Sequence, residues 1–525
     1  MDYFTLLQSL CVSLLLFFTF LFSIKWKTMN QTSPSRFCGF PPSPKALPII
    51  GHLHLLADLP HMSLTTLAHK LGPIIHLRLG RVPTLIVSSA HYARLVLKTH
   101  DHIFATRPQL LAAQCLSFGC SDVTFSPYGP YWRQARKICV TELLSTKRVS
   151  SFKTVRDEEV NRMLNSVLAQ SDSEAVDMSK LFFTLANDIL CRVAFGRRFV
   201  EGSGEGQQYH LAEVLAETQA LLAGFSVGDF FPEWKWINWA CGLKRRLEKN
   251  LKDLRRVCDE IIGEHMRNDL INNGSTTKER EDDLVDVLIR VQQRHDLEVP
   301  ITDDNLKALV LDMFVAGTDT TATTLEWTMT ELARHPRVLK KAQQQVREVA
   351  SNSGKVDETH LHQLPYVKAA VKESMRLHPP VPLLVPRESM DNCNLDGYQI
   401  PAKTRVLINA YAIGRDPESW EDPLLYKPER FEEDVLDVKD HQDFRFLAFG
   451  GGRRGCPGYV FALATVEIAL ARLLYHFDWS LPPEVGPDDV DLDEIFGLAT
   501  RKKSALVLVP TPNMDYQLMD ADVHY

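Results

Sequence analysis

Hydrophobic residues are spread unevenly along the chain, and the longest uncharged stretch lies at its N-terminus. Positions 4–24 carry no charge, and 15 of these 21 residues are apolar. A helix of that length spans the ~30 Å hydrocarbon core of a bilayer. The alternative is a secretory signal peptide, but no basic residue precedes the segment and no small-residue cleavage site follows it. The pattern therefore predicts a transmembrane anchor at residues 1–24.

Residues 25–50 are basic and rich in proline. The basic positions after the anchor are Lys25, Lys27, Arg36 and Lys45. Under the positive-inside rule, they favour a single-pass protein whose main body faces the cytosol. The run Pro41-Pro42-Ser43-Pro44 fixes φ and removes backbone donors. We therefore predict a stiff, extended strap between the membrane and the folded body.

The spacing of apolar residues changes after the strap. Residues 74–79 and 84–87 are short β-prone runs, whereas helical spacing dominates beyond residue 130. No internal repeat and no linker divides the remainder. The pattern predicts one mainly α domain with small β-sheets, an α+β fold, over residues 51–525.

Composition narrows the class of protein. The chain has 525 residues, is 45% hydrophobic and carries a formal net charge of −7, which suffices for a large core. Basic residues are dispersed, so we expect no nucleic-acid partner. The ten cysteines are irregularly spaced and form no C-x-x-C pair, which weighs against a disulfide framework and a zinc cluster.

The longest helical pattern runs from Thr302 to His335. Thr302 is a good N-cap, acidic residues fill the first turn, and Pro336 ends the pattern. Its centre, residues 314–324, contains a glycine and many threonines, which are poor helix formers. The pattern indicates either a surface against which a ligand packs or a local kink in a buried helix.

One cysteine stands out because of its neighbours. Cys456 follows three glycines at 450–452, precedes Pro457, and lies just before a predicted helix at 459–477. A sulfur at a helix N-terminus faces backbone N–H groups, which we expect to lower the pKa of its thiol. This setting suits a thiolate that binds a metal beside a flat ligand, such as haem iron.

A dinucleotide-binding loop is the competing interpretation of the same segment. Gly450, Gly452 and Gly455 satisfy G-x-G-x-x-G, and residues 444–449 could form the preceding strand. That fingerprint requires a βαβ unit and an acidic residue about 20 positions later. Glu467, the next acidic residue, falls inside the following predicted helix, so we disfavour this alternative.

Residues 449–458 resemble the cysteine-loop signature of the cytochrome P-450 family, F-x-x-G-x-R-x-C-x-G, at every fixed position. Four further segments are similar to family motifs and occur in the family's order. They are W-x-x-x-R at 132–136, A-G-T-D-T-T at 316–321, E-x-x-R at 373–376 and P-E-R-F at 428–431. The anchor, the strap and Leu377-His378-Pro379-Pro380 resemble plant microsomal members of specialised metabolism.

This resemblance implies a haem b whose iron takes Cys456 as its axial ligand, with thiolate donation favouring O–O cleavage. It implies that Phe449 packs near the sulfur and excludes water. It also assigns the haem propionates to a set of hydrogen-bond donors. These donors are Trp132, Arg136, Arg387 and Arg454.

The resemblance also assigns a proton-delivery pair and a structural triad. Thr320 and Asp319 would hold water and relay protons for dioxygen cleavage. Glu373, Arg376 and Arg430 would form a buried ion cluster that holds the cysteine loop in place.

By family position, the substrate pocket draws on four regions of the chain. The expected lining is mostly apolar, as suits a small lipophilic substrate, and it carries no charge, which favours a terpenoid over a phenolic compound or an alkaloid. The predicted residues are Ser117, Phe118, Phe125, Val315, Ala316, Val381, Val385, Phe496 and Leu498.

The chain offers no convincing flavin or nicotinamide segment. The resemblance implies that NADPH and flavins act through a separate NADPH-dependent reductase in the endoplasmic reticulum membrane, docking near basic residues such as Arg453. The expected reaction inserts one oxygen atom from O2 into the substrate. Two alternatives remain, a haem-thiolate isomerase or dehydratase and a non-catalytic membrane haem protein. Asp319-Thr320 argues against the first, and the absence of His or Met at 316–320 argues against the second.

Overall fold

The computed structural model describes residues 39–170, 175–198, 205–234, 236–272, 282–351, 353–433 and 443–513. The predicted anchor at 1–24 and the first part of the strap lie outside these residues. Eighteen α-helices and four small sheets make up the described part. The prediction of a mainly α fold with small β-sheets is therefore confirmed.

The helices, numbered in chain order, include several short connecting turns and a few that exceed fifteen residues. Their bounds are α1 Pro60–Leu71, α2 Ala90–Arg94, α3 Leu111–Leu116, α4 Pro130–Ile138, α5 Thr146–Ser151, α6 Lys153–Ala169, α7 Met178–Phe195, α8 Glu205–Leu222, α9 Val227–Phe230, α10 Trp236–Ala240, α11 Leu243–Asn272, α12 Leu284–Gln292, α13 Asp303–Arg334, α14 Pro336–Ala350, α15 Pro365–Leu377, α16 Ala410–Ile413, α17 Arg430–Glu433 and α18 Tyr459–His476. Short 3₁₀ or π segments occur at Leu53–Leu55, Leu95–Thr99, Cys139–Leu143, Glu358–Gln363 and Gly452–Arg454.

The strands are short and fall into four sheets. Their bounds are β1 Ile74–Leu79, β2 Val82–Val87, β3 Val176–Asp177, β4 Arg387–Glu388, β5 Cys393–Leu395, β6 Tyr398–Ile400, β7 Arg405–Ile408, β8 Phe477–Ser480, β9 Glu494–Ile495, β10 Arg501–Lys502 and β11 Val507–Pro512. The strand orders are β1-β2-β7-β4, β3-β11-β8, β5-β6 and β10-β9. Both strands predicted near the N-terminus are present, and they form the hairpin β1–β2.

The four-stranded sheet joins distant parts of the chain. β2 pairs in parallel with β7, so that Thr84 lies opposite Arg405. The described part of the proline-rich strap runs against the other edge, where the His76 amide donates to the Pro42 carbonyl at 2.9 Å. The N-terminal segment is thereby fixed to the folded body.

The central helix α13 forms as its sequence predicts. Thr302 and Asn305 form a reciprocal capping box at its N-terminus, and the helix ends before His335. It continues as an α-helix through the glycine and threonine residues at 314–324. Most of its residues are buried, and it packs against α7, α15 and α18. α13 is therefore the axis around which the other helices assemble.

Helix α18 begins directly after the cysteine loop, at Tyr459, and ends at His476, one residue before the predicted end. Among the described residues, it is the helix long and apolar enough to cross a membrane by length and composition. It packs against α13, α14 and α15 and supplies part of the main core. Its apolar composition is thus explained by burial inside the fold.

Candidate functional site

A cavity lies between the centre of α13, the cysteine loop before α18 and the C-terminal part of α8. Cys456 and Thr320 both line it. Apolar side chains, including Phe449 and Leu384, supply most of its surface. The cavity therefore brings together the two segments that sequence analysis singled out.

The cysteine loop owes its shape to glycine. Gly450 and Gly452 have φ of 67° and 65°, a region that residues with a Cβ rarely adopt. A Cβ at Gly452 would lie 2.2 Å from the carbonyl oxygen of Leu97. The Cys456 amide donates to the Phe449 carbonyl at 2.9 Å, which closes the loop. Residues 444–449 form no strand, so the dinucleotide interpretation fails here.

The Cys456 thiol opens into the cavity, since the residue lines that cavity and its surface is exposed there. Burial by the surrounding protein raises the pKa of this thiol, while the Gly458 amide and the charge of Arg136 act in the opposite direction. The helix N-terminus is expected to lower the pKa of this thiol, but the effect of burial is larger. A bound metal cation would favour the thiolate, because a cysteine ligand binds in its deprotonated form.

One edge of the cavity is cationic. The Trp132 indole and the Arg454 guanidinium both donate to the Val123 carbonyl at 3.0 Å. Arg454 also lies 4.1 Å above the Trp132 ring. Burial, and then the charge of Arg387, lowers the pKa of Arg454 to about 9. Arg136 lines the same edge, and among the described residues no side-chain hydrogen bond of its guanidinium is found, whereas its backbone carbonyl accepts from the Cys139 amide.

Arg387 lies beside this edge but is already partnered. Its guanidinium donates to Asp101 at 3.0 Å and to the Gly451 carbonyl at 2.8 Å. Arg453, which is exposed, binds the second carboxylate oxygen of Asp101 at 2.9 Å. Asp101 therefore links both arginines to the cysteine loop.

Thr320 faces the cavity, whereas Asp319 does not line it. The Thr320 hydroxyl donates to the Ala316 carbonyl at 2.6 Å. Asp319 is 2% exposed, and neither of its carboxylate oxygens has a hydrogen-bond partner in the described part of the chain. Burial raises its pKa, and the charge of Arg501 opposes that rise. The two adjacent side chains therefore leave α13 in different directions.

Glu373, Arg376 and Arg430 form a buried cluster away from the cavity. Arg376 binds both carboxylate oxygens of Glu373, at 2.7 and 2.8 Å, and Arg430 binds one of them at 3.0 Å. The Lys427 amide also donates to Glu373, at 2.8 Å. Further bonds of Arg376 to the Pro423 and Leu425 carbonyls attach the cluster to the segment before α17.

Comparison with known proteins decides the family. The cytochrome P-450 family model matches residues 41–509. The chain belongs to the cytochrome P-450 family.

Named relatives support this at the level of whole chains. The chain is 55% identical over 93% of its length to tryptamine 5-hydroxylase of Oryza sativa subsp. japonica, covering 93% of that protein. It is 44% identical over 95% of its length to premnaspirodiene oxygenase of Hyoscyamus muticus, covering 98%. A zebra fish cytochrome P-450 structure with abiraterone matches with a TM-score of 0.72 and 26% identity, covering 87% of this chain and 100% of that one. The protein is thus a plant cytochrome P-450 monooxygenase.

The cavity fits the haem that this family carries with cysteine thiolate ligation. The Cys456 thiol opens into it, and Arg136 supplies a guanidinium for which no side-chain hydrogen bond is found among the described residues. A Cβ built on Gly450 would approach only Leu384 and Gly455, at 3.9 and 4.0 Å, which leaves room for a flat ligand.

Most of the predicted pocket residues line the cavity of this cytochrome P-450, but two do not. The lining includes Ser117, Phe125, Val315, Ala316, Val381, Val385 and Leu498. Phe118 has a φ of 51° and lies under the Arg255 guanidinium, 4.9 Å from the ring centroid. Phe496 packs edge-on against Phe225, with ring centroids 5.2 Å apart. Both aromatic residues therefore lie outside the lining of this cavity.

The cavity lining also includes charged residues that sequence analysis did not name. Asp312 on α13 lines the cavity and accepts hydrogen bonds from the Val123 and Thr124 amides at 3.0 and 3.1 Å. Arg107 donates to the Thr124 carbonyl at 2.9 Å and to the Pro386 carbonyl at 3.0 Å. Burial raises the pKa of Asp312 and lowers that of Arg107. No local pattern identified either residue, since each acquires its role from contacts with distant segments.

Proposed function

We propose that Cys456 ligates the haem iron and that this cytochrome P-450 inserts one oxygen atom into a small plant metabolite. The main support for this proposal is that Cys456 and Thr320 line the same cavity. When bound, the haem would supply the activation of dioxygen. The overall reaction consumes two electrons and two protons, transfers one oxygen atom to the substrate and releases the other as water.

The cationic edge of the cavity is proposed to bind the haem propionates. Arg136 is available for this role, and Arg454 and Trp132 lie beside it. Arg454 and Trp132 both donate to the Val123 carbonyl, so binding a propionate requires them to share or exchange this acceptor. Arg387 acts mainly through Asp101, which holds the cysteine loop.

Proton delivery is proposed to begin at Asp319 and to end at Thr320. The hydroxyl of Thr320 is the group that reaches the cavity, and its bond to the Ala316 carbonyl fixes its rotamer. Burial raises the pKa of Asp319, which makes this carboxyl group a better proton acceptor than an exposed aspartate. Arg501 faces this carboxylate and limits how far its pKa rises.

For the substrate, we propose a small aromatic amine in preference to a terpenoid. The terpenoid preference rested on a lining without charge, whereas Asp312 places a carboxylate there. A 55% identical relative is named for the hydroxylation of tryptamine. The relative named for premnaspirodiene is less similar, at 44%, and it makes a terpenoid the second candidate.

We further propose that residues 1–24 anchor the protein in the endoplasmic reticulum membrane, with the catalytic domain in the cytosol. A separate membrane-bound reductase would supply electrons from NADPH. Arg453 is half exposed beside the cysteine loop, where it could contact an acidic surface of that partner.

Thiolate ligation is tested by reducing microsomes that contain the protein, adding carbon monoxide and recording the Soret band. We expect the position typical of thiolate ligation, and we expect Cys456→Ser to abolish it. Cys139, the other cysteine in the lining, gives a matched control, since Cys139→Ser should retain the band. An imidazole-type band in fresh wild-type protein would contradict the proposal.

The substrate is tested by incubating the same microsomes with reductase, NADPH and either tryptamine or premnaspirodiene. A hydroxylated amine that requires NADPH and O2 supports the proposed class. Turnover of premnaspirodiene alone would replace it with the terpenoid class. Asp312→Asn should raise KM for tryptamine while leaving the carbon monoxide spectrum unchanged.

A further inference from the structure

Gln219 lies near the C-terminal end of α8, where three walls of the cavity meet. Its side chain is 3% exposed and lines the cavity. On one side is the centre of α13, and on the other is the turn between β9 and β10, residues 496–500. Buried glutamine is uncommon unless its amide is hydrogen-bonded, so its contacts indicate its purpose.

The Gln219 carboxamide binds both neighbouring walls at once. Its Nε2 donates to the Val315 carbonyl on α13 at 2.9 Å. Its Oε1 accepts from the Ala499 amide at 3.3 Å, and its backbone carbonyl accepts from the Leu498 amide at 3.0 Å. One residue thus joins α8, α13 and the turn by three hydrogen bonds.

Each of these three segments contributes to the lining next to Gln219. Leu222 of α8, Val315 of α13 and Leu498 of the turn all face the cavity. Gly497 of the turn lies against Gln219, since a Cβ there would be 3.6 Å from the Gln219 carbonyl oxygen, and the turn is itself tight at this glycine, where the same Cβ would be 2.8 Å from the Ala499 carbonyl oxygen. The width of the cavity at this point is therefore set by the span of the glutamine side chain.

The neighbouring polar residue does not make such a link. Thr218 is also buried in the lining, but its hydroxyl bonds to the Val214 carbonyl and to Asn250, at 2.7 and 2.9 Å. Those bonds attach α8 to α11 and leave α13 and the turn untouched. The connection across the cavity therefore depends on Gln219 rather than on the polarity of α8 in general.

We infer that Gln219 is a positioning residue that clamps α8, the centre of α13 and the 496–500 turn together, and thereby determines which substrates fit above Cys456. The inference rests on the proposed function only in taking this cavity as the substrate site. Without the carboxamide, the Ala499 amide loses its acceptor inside the fold, so the turn separates from α8 to reach water.

Hydrogen–deuterium exchange on the haem-loaded, full-length protein tests the clamp without using activity. In Gln219→Met, which keeps the side-chain length, the peptide covering 494–502 should exchange roughly tenfold faster, as expected when a bond of about 1.4 kcal/mol is lost. Gln343→Met is the matched control, since Gln343 is 7% exposed and its Nε2 donates to the Phe477 carbonyl at 2.9 Å, outside the lining. It should leave exchange at 494–502 unchanged.

Binding of 4-phenylimidazole, a probe that ligates haem iron, gives a second measurement. Association should be several-fold faster in Gln219→Met than in wild type or Gln343→Met, because loosened walls admit the probe more readily. If Gln219→Met does not fold, Gln219→Asn keeps the amide but cannot span both walls, and the same results are expected.

Wild-type exchange at 494–502 in a folded Gln219 variant would overturn the clamp. Failure of the proposed haem-thiolate function has a different signature. In that case the carbon monoxide spectrum of every variant, wild type included, would show an imidazole-type band, whereas the exchange difference between Gln219→Met and Gln343→Met would persist.

Discussion

The Glu494 carboxylate accepts a hydrogen bond from Nε2 of His61 at 2.8 Å, with side chains that are 5% and 0% exposed. His378 lies on the other side of Glu494, at 3.9 Å, and its Nε2 binds Glu331 on α13 at 2.7 Å. The His378 ring also stacks on Trp327 at 3.9 Å. This row of imidazoles and carboxylates attaches strand β9 to α1 and α13.

The row predicts a loss of stability in acid. Burial alone would raise the pKa of Glu494, but the neighbouring His378 and the hydrogen-bonded His61 outweigh it and lower the pKa to about 2. A carboxyl group whose pKa is lowered on folding stabilises the protein above its ordinary pKa. That contribution is lost as the pH falls from about 4.5 towards about 2, and it amounts to about 3 kcal/mol.

Urea unfolding at several acidic pH values checks this prediction. Glu494→Gln should destabilise the protein near neutral pH and flatten the decline in the free energy of unfolding towards acid. Glu298→Gln removes an exposed carboxylate and is the control. If the free energy of unfolding falls with decreasing pH equally in Glu494→Gln and in wild type, the acid sensitivity arises from other groups.

Glu373→Gln should release haem and destabilise the fold. The substitution leaves the buried guanidinium of Arg376 without its bidentate partner, which costs roughly 3–5 kcal/mol. Haem content and urea denaturation measure the effect. Glu432→Gln breaks an exposed pair with Lys341 and should change stability by about 0–1 kcal/mol. If the two substitutions reduce haem content and stability equally, the proposed structural role of the cluster is wrong.

Thr320→Ala should retain haem but divert electrons from product to hydrogen peroxide. The hydroxyl that reaches the cavity is lost, so protons arrive more slowly. The measurement is peroxide formed per NADPH oxidised. Thr330→Ala is the control, because it removes a similar hydroxyl that donates to the Glu326 carbonyl at 2.7 Å and lies outside the lining. In this variant NADPH oxidation should remain coupled to product formation. Full coupling in Thr320→Ala would exclude Thr320 from proton delivery.

Asp319→Asn should stabilise the protein while it increases peroxide formation. The carboxylate is buried and its oxygens have no hydrogen-bond partner among the described residues, so removing the charge relieves roughly 1–3 kcal/mol of desolvation. Thermal unfolding and peroxide assays on the same sample check both parts. A lower Tm together with unchanged coupling would mean that Asp319 serves the fold rather than the reaction.

Local signals in the sequence predicted the elements that carry the chemistry. The ends of α13 follow from the Thr302 cap and Pro336, and the cysteine loop follows from its glycines. These features depend on residues within a few positions of one another. The apolar positions assigned by family resemblance have no such local signal, and two of them lie in settings that the sequence does not indicate: Phe118 takes a positive φ, and Phe496 packs against Phe225.

Residues whose roles depend on distant contacts left no local signal. Gln219 binds Val315 and Ala499, which lie 96 and 280 positions further along the chain. Asp312 likewise meets Thr124 from 188 positions away. Neither glutamine nor aspartate at these positions disturbs helical periodicity, so only the assembled fold distinguishes them from surface residues.

The parallel pairing of β2 with β7 has a consequence for synthesis on the ribosome. The β1–β2 hairpin emerges early, but its partner around Arg405 appears more than three hundred residues later. Until then, one edge of β2 has unpaired backbone groups and apolar side chains, a template for association with other chains. Cells that make this protein must therefore shield the nascent hairpin, and its yield should depend on chaperone supply more than its final stability suggests.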